Sequence, residues 1–156
     1  MPSGGDDFTP ASLPQPEPGL SVEIDIPEVV AEVRRAFERY EDALVNNRVD
    51  VLNELFWADP RTLRYGVGEI LRSHDEIAAF RAGRSPAGLA RSLSNVRITT
   101  FGRDCAVANT EFRREAWPGR LGRQSQTWVR MPEGWRIVSA HVSIMEDPIR
   151  AGSGGA

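Results

Sequence analysis

The stretch Gly134-Trp-Arg-Ile-Val-Ser-Ala-His-Val-Ser-Ile-Met145 (GWRIVSAHVSIM) is rich in β-branched and aromatic residues and follows a turn, Pro132-Glu133-Gly134. It reads as a long strand. Strict alternation puts Trp135, Ile137, Ser139, His141, Ser143 and Met145 on one side and Val138, Ala140, Val142 and Ile144 on the other. Both sides then carry apolar residues. An antiparallel sheet with one solvated face is not expected to look like that, so this pattern predicts a second subunit against the face that helices leave bare.

Working back from that strand, three more runs near 92–102, 104–116 and 122–131 are separated by Gly102-Arg103-Asp104 and Trp117-Pro118-Gly119-Arg120. Turns this short join antiparallel neighbours, so the back half predicts a four-stranded antiparallel sheet. The front half reads as helix. Pro27 suits a first helical position, and Val29, Val30, Val33, Ala36, Phe37, Tyr40, Ala43 and Leu44 recur at helical spacing up to Asn46-Asn47. Asp50 can cap a shorter helix bearing Val51, Leu52, Leu55 and Phe56, which Asp59-Pro60 ends. Thr62–Gly66 and Glu69–Leu71 read as short strands. Ser73-x-x-Glu76 is a capping box that opens a third helix, with Ile77, Ala78 and Phe80 on its buried side. The fold class is therefore α+β, three N-terminal helices packed on a curved antiparallel sheet.

The ends read differently. Residues 1–20 hold five of the 11 prolines, so 1–21 and 150–156 are expected to be disordered tails around one domain, 22–149. A chain of 156 residues fits a single domain. The start carries Asp6-Asp7 and no apolar run, so no signal peptide is read there, and no stretch has the ~20 apolar residues of a membrane span. A net charge of −3 offers no general attraction to nucleic acid or membrane. With one cysteine and no targeting segment, a cytoplasmic location is expected.

Composition also removes chemistries. Every one of the 19 basic residues is arginine, which excludes Schiff-base lysines and a P-loop lysine. His74, His141 and Cys105 form no spaced metal-binding set, so neither metal nor cofactor is expected. Two polar residues stand out on elements that should face inward. Tyr40 lies on the apolar stripe of the first helix, where it is either a core tyrosine bonded to a carbonyl or a pocket hydroxyl. Arg64 alternates with Thr62 and Gly66, and an inward guanidinium needs either an internal acid such as Glu69 or a bound anion. His141, flanked by Ser139 and Ser143, is a core or pocket histidine. Trp57, Gln126 and Trp128 are further lining candidates. Asn109 and Glu111 share a strand face with Val107, while Cys105 sits inert beside a turn.

Three helices feeding a long meander resemble the SnoaL-like cone fold, shared by ketosteroid isomerase and kinase association domains. The segments PEVVAEVRRAFERYEDAL (27–44), ELFWADPRTLRYGVGE (54–69), IAAFRAGR (77–84), TTFGRD (99–104), GRQSQTWV (122–129) and GWRIVSAHVSIM (134–145) resemble a narrower group, the AtzH-like proteins of cyanuric acid and related urea breakdown. The resemblance implies nitrogen-catabolic chemistry on an N-carboxylated urea, 1,3-dicarboxyurea-like or oxalurate-like, beside a separate amidase. It implies cofactor-free decarboxylation or hydrolysis, with Arg64 holding a substrate carboxylate and Tyr40 supplying the proton. It also keeps His141 as a substrate-binding candidate beside Trp57 and Gln126, since cone folds often line the cavity with the final strand, on which His141 lies. Two rival readings stand beside this one. The domain could be a non-catalytic dimerising or scaffold partner of an amidase, or an isomerase or cyclase for a larger apolar substrate. The cavity separates them: a small one lined by arginine and tyrosine, a filled core, or a wide apolar one.

Overall fold

The computed structural model describes Gly19 and residues 21–151. The expected tails at 1–21 and 150–156 fall almost wholly outside them, apart from the last turn of a short helix, Pro148–Ala151. The chain runs α1 (Pro27–Val45), α2 (Val49–Leu55), β1 (Leu63–Tyr65), β2 (Ile70–Leu71), α3 (His74–Gly83), β3 (Ser92–Phe101), β4 (Cys105–Arg113), β5 (Arg120–Met131), β6 (Gly134–Glu146) and α4 (Pro148–Ala151). It is a mixed α+β fold in which α1, α2 and α3 pack on one face of a curved, unclosed sheet.

The sheet has six strands, in the order β2-β1-β6-β5-β4-β3, rather than the four expected. Its core is the antiparallel meander β3 to β6. The two short strands complete it on the far side, and β1 pairs parallel to β6 with Arg64 opposite Ala140 and Tyr65 opposite His141. A parallel neighbour needs a long connection, and the chain between β1 and β6 includes α3 and four strands.

α1 forms where its stripe demands. Pro27 stands in the first turn, and Val29, Val33, Phe37, Tyr40, Ala43 and Leu44 are buried, each large apolar side chain contributing about 1.5–3 kcal/mol. The capping position of α2 is Arg48 rather than Asp50, which lies within its first turn. At α3 the Ser73 hydroxyl accepts from the Glu76 amide at 3.1 Å, while the Glu76 carboxylate accepts from the Arg72 amide rather than from Ser73. The fully buried positions of α3 are Ile77 and Arg81, while Ala78 and Phe80 are half-buried, Phe80 packing against the core. An arginine sealed on the inner stripe of a ten-residue helix is the first sign of a site.

A departure from strict alternation that decides the faces of the sheet lies in β6. Thr127 pairs with Ser139 but Trp128 pairs with Ile137, so Val138 has no partner and forms a β-bulge. The extra residue reverses the phase of the strand. Trp135 and Ile137 therefore share the buried face with Ala140 and Val142, while Ser139 and His141 are exposed on the other face. The predicted pair of apolar faces is corrected to one apolar and one largely polar face. The outer face continues as Asn109, Ser125 and Arg123, with Ser125 donating to Asn109 at 2.6 Å.

Candidate functional site

Between α1, α3 and the inner face of the sheet lies a cavity of about 190 Å³, lined by Tyr40, Leu44, Arg64, Val67, Glu69, Phe80, Arg84, Arg91, Phe112, Arg114, Trp117, Gln124 and Val142. Tyr40 reaches it from the C-terminal part of α1 and Arg64 from β1, so the two side chains named from sequence meet at one cavity from different elements.

Of the two partners weighed for Arg64, the internal acid Glu69 is in place, and the side chain also lines the cavity. Its side chain is 9% exposed, and Nη1 donates to Glu69 Oε1 at 2.9 Å. Its Nε is buried with no hydrogen-bond partner, so the internal acid leaves capacity for a further anion. The pair fits because residue 66 is glycine: a Cβ there would stand 1.7 Å from Glu69 Oε1. The Gly68 amide donates to Glu69 Oε2 at 3.2 Å and holds the carboxylate in place.

Tyr40 is fully buried, its ring edge-on to Phe56 with centroids 6.2 Å apart. Its hydroxyl accepts a long hydrogen bond from Arg81 Nη2 at 3.4 Å. Burial is the largest single influence on the phenol and pushes its pKa up. The guanidiniums of Arg81, Arg64 and Arg91 together outweigh it, so the net direction is down. A phenol held below its ordinary range is a stronger acid at neutral pH.

The arginines around Tyr40 escaped the sequence reading. Arg81 is 1% exposed, stacks on Phe56 at 5.4 Å, and has Nε and Nη1 buried without partners. Arg91 is held by Glu41 through two contacts, donates to Gln124 Oε1 at 3.0 Å, and lies 4.4 Å over the Phe112 ring. Arg114 stacks on Trp117 at 4.2 Å. Burial, followed by the neighbouring Arg81 and Arg64, pushes Arg84 down to about 10, and burial likewise lowers Arg81 and Arg114. Four guanidiniums, those of Arg64, Arg84, Arg91 and Arg114, thus line the cavity with one carboxylate, Glu69, while Arg81 bonds to Tyr40 and Glu41 pairs with Arg91. Buried like charges with unpaired donors are costly, and an anion relieves the cost. The available signal was Arg81, four residues after Ile77 on the buried stripe of α3.

The remaining candidates lie elsewhere. Gln126 is buried on the inner face and accepts from Trp128 Nε1 at 3.1 Å, but does not line the cavity. Trp57 stacks with Arg61 at 4.7 Å beside a different surface hollow. His141 faces outward, edge-on to Tyr65 at 5.6 Å, because the Val138 bulge turns it away from the cavity. Asn109 and Glu111 are on that outer face too. Among the described residues no group of three or more His, Cys, Asp or Glu side chains could hold a metal ion. Among them, too, no helix is long and apolar enough to cross a membrane.

Several solved structures share this architecture. A protein of unknown function from Pectobacterium atrosepticum is 57% identical, covering 79% of this chain and 95% of its own, with a TM-score of 0.77. A cystatin-like fold protein from Burkholderia xenovorans is 45% identical over 82% of this chain and 100% of its own, with a TM-score of 0.78. A nuclear transport factor 2-like superfamily protein from Salmonella enterica is 25% identical over 78% of this chain and 94% of its own, with a TM-score of 0.62. No curated protein matches. These neighbours identify the architecture as the SnoaL-like cone fold, and a fold of that kind enclosing a polar cavity fits a small-molecule-binding domain. The AtzH-like family model matches residues 22–148, nearly the whole described chain, and the protein belongs to the AtzH-like family.

Proposed function

We propose that this chain is a small-molecule enzyme acting on an N-carboxylated urea, by cofactor-free decarboxylation. The observation that carries the reading is the imbalance of charge in the lining of the cavity, four guanidiniums with the single carboxylate of Glu69, around a buried phenol. Such a site suits a small planar carboxylate, which a guanidinium binds through two parallel hydrogen bonds.

In this scheme Arg64 holds and orients a substrate carboxylate, and Tyr40 donates its proton to the carbamate-type nitrogen. The C–N bond then breaks, its electron pair stays on nitrogen, and carbon dioxide leaves. Solvent returns the proton to Tyr40. Placing the donor supplies general-acid assistance of roughly 10²–10⁴-fold. Hydrolysis of the same compound is the formal alternative, and the product would be passed to a separate amidase. A non-catalytic scaffold has no use for an open cavity with unpaired buried donors, so the charge pattern favours the enzyme.

Incubation with a 1,3-dicarboxyurea-type substrate, following carbon dioxide and ammonia separately, tests the scheme. Catalysed carbon dioxide release without ammonia is expected. Ammonia release in step with carbon dioxide would shift the reaction to hydrolysis, and neither product above background would favour the scaffold.

A further inference from the structure

Gln124 stands on the inner face of β5, opposite Thr110 of β4 and Val142 of β6, and lines the cavity. The residue is only 2% exposed. Its Oε1 accepts from Arg91 Nη2 at 3.0 Å, and Arg91 is paired in turn with Glu41, the residue after Tyr40 on α1. A guanidinium only donates, so the atom turned to Arg91 is the amide oxygen and the amide group has one orientation. That leaves the amide nitrogen. Nε2 is buried and its N–H groups have no hydrogen-bond partner.

A buried amide with idle N–H groups is costly, and an acceptor on a ligand removes the cost. Gln126, two residues on, also has an idle Nε2, but its oxygen serves Trp128 and it does not line the cavity. Placement in the cavity wall is what makes the Gln124 amide usable. The acceptor it suits is neutral. Carboxylates are drawn to the four guanidiniums of the lining, which bind them by charge and by paired bonds. An uncharged amide N–H matches the oxygen of a urea or amide carbonyl.

We infer that Gln124 is a carbonyl-binding residue of this cavity, its amide N–H groups, turned by Arg91, donating to the neutral carbonyl oxygen of a ureido ligand whose carboxylate Arg64 holds. This rests on the reading of Arg64 as the carboxylate partner. It gives Gln124 the choice between a ureido group and a hydrocarbon of the same shape. With carbonyl oxygen and carboxylate both held, the nitrogen between them is presented in one orientation.

Calorimetric titration with N-carbamoylglycine and with isocaproate tests this without turnover. The two share a carboxylate and a shape, but isocaproate has no carbonyl at the far end. Gln124→Met keeps the length of the side chain and removes the amide. It should lower the affinity for N-carbamoylglycine by about 10-fold and leave that for isocaproate within about two-fold of wild type. Arg64→Gln should weaken both ligands alike. A mutation-free measurement stands beside these. In the wild-type chain the side-chain amide proton resonances of Gln124 should move downfield on saturation with N-carbamoylglycine and not with isocaproate. Equal effects of Gln124→Met on the two ligands, or amide resonances that respond alike to both, would overturn the role of Gln124 and leave Arg64 in its own. Failure of the wild type to bind either ligand would overturn both.

Discussion

Arg81 Nη2 donates to the hydroxyl of Tyr40 at 3.4 Å, within a pair of side chains that α3 and α1 bury against the same ring of Phe56. The contact occupies an acceptor lone pair of the phenol and leaves its proton free to be given away. Everything proposed for Tyr40 follows from that arrangement.

Tyr40→Phe keeps the ring and its edge contact with Phe56 and removes only the hydroxyl. The melting temperature should change little, while kcat falls by roughly 10²–10⁴-fold and KM moves far less. Steady-state kinetics on the N-carboxylated urea provide the check. Equal losses in kcat and in affinity would make Tyr40 a binding group.

The lowered phenol sets a pH dependence whose sign is fixed. A carboxylate entering beside Arg64 and Arg81 shares the positive field that favours phenolate, so binding pushes the Tyr40 pKa back up and takes up protons. Carboxylate affinity should therefore decline as pH rises through the lowered Tyr40 value. Titrations from about pH 7 to about pH 10 on wild type and Tyr40→Phe check this, and the variant should lack that part of the decline. The same slope in both would remove the coupling.

Gly122 lies opposite Phe112 on the inner face, and a Cβ at 122 would stand 2.2 Å from Phe112 Cζ. The ring is fully buried and carries Arg91 on its face, so it has little room to give. Gly122→Ala should cost about 1–3 kcal/mol by overpacking and lower carboxylate affinity as Arg91 shifts. Denaturant unfolding combined with a ligand titration would show it. A variant as stable as wild type would mean that Phe112 moves freely.

We retain the homodimer as a proposal, on changed grounds. The outer face is polar along its centre, but exposed Phe101 flanks it at one edge and exposed Tyr65 and Ile70 at the other. Light scattering at micromolar concentration should give twice the chain mass. Arg substituted at Tyr65 should shift the population to monomer, and a wild-type monomer would sink the idea.

Much of this molecule was legible because its elements carry ordinary signals. The stripe from Val29 to Leu44, the capping serine at 73 and the short turns of the meander all read directly. Tyr40 and Arg64 were visible as polar residues on inward-facing positions. His141 was misplaced for a physical reason. Both phases of β6 contain apolar residues, so periodicity cannot locate the one-residue bulge at Val138 that decides which face a histidine takes. The parallel pairing of β1 was hidden because a three-residue strand has no pattern of its own and is held by partners distant in sequence. Arg84, Arg91 and Arg114 were missed since an arginine between elements usually reads as solvated surface, and only tertiary packing gathers these three around one cavity.

The most direct test of the account is turnover of an N-carboxylated urea by Arg64→Lys, followed as carbon dioxide release in a variant shown to melt near the wild type. Lysine keeps the positive charge opposite Glu69 but cannot make two parallel bonds to a carboxylate. The account predicts that most of the turnover is lost, with kcat/KM reduced by about 10²-fold or more. Turnover retained near the wild-type level would show that Arg64 serves only as a charge, and would contradict the placement of the substrate carboxylate on its guanidinium.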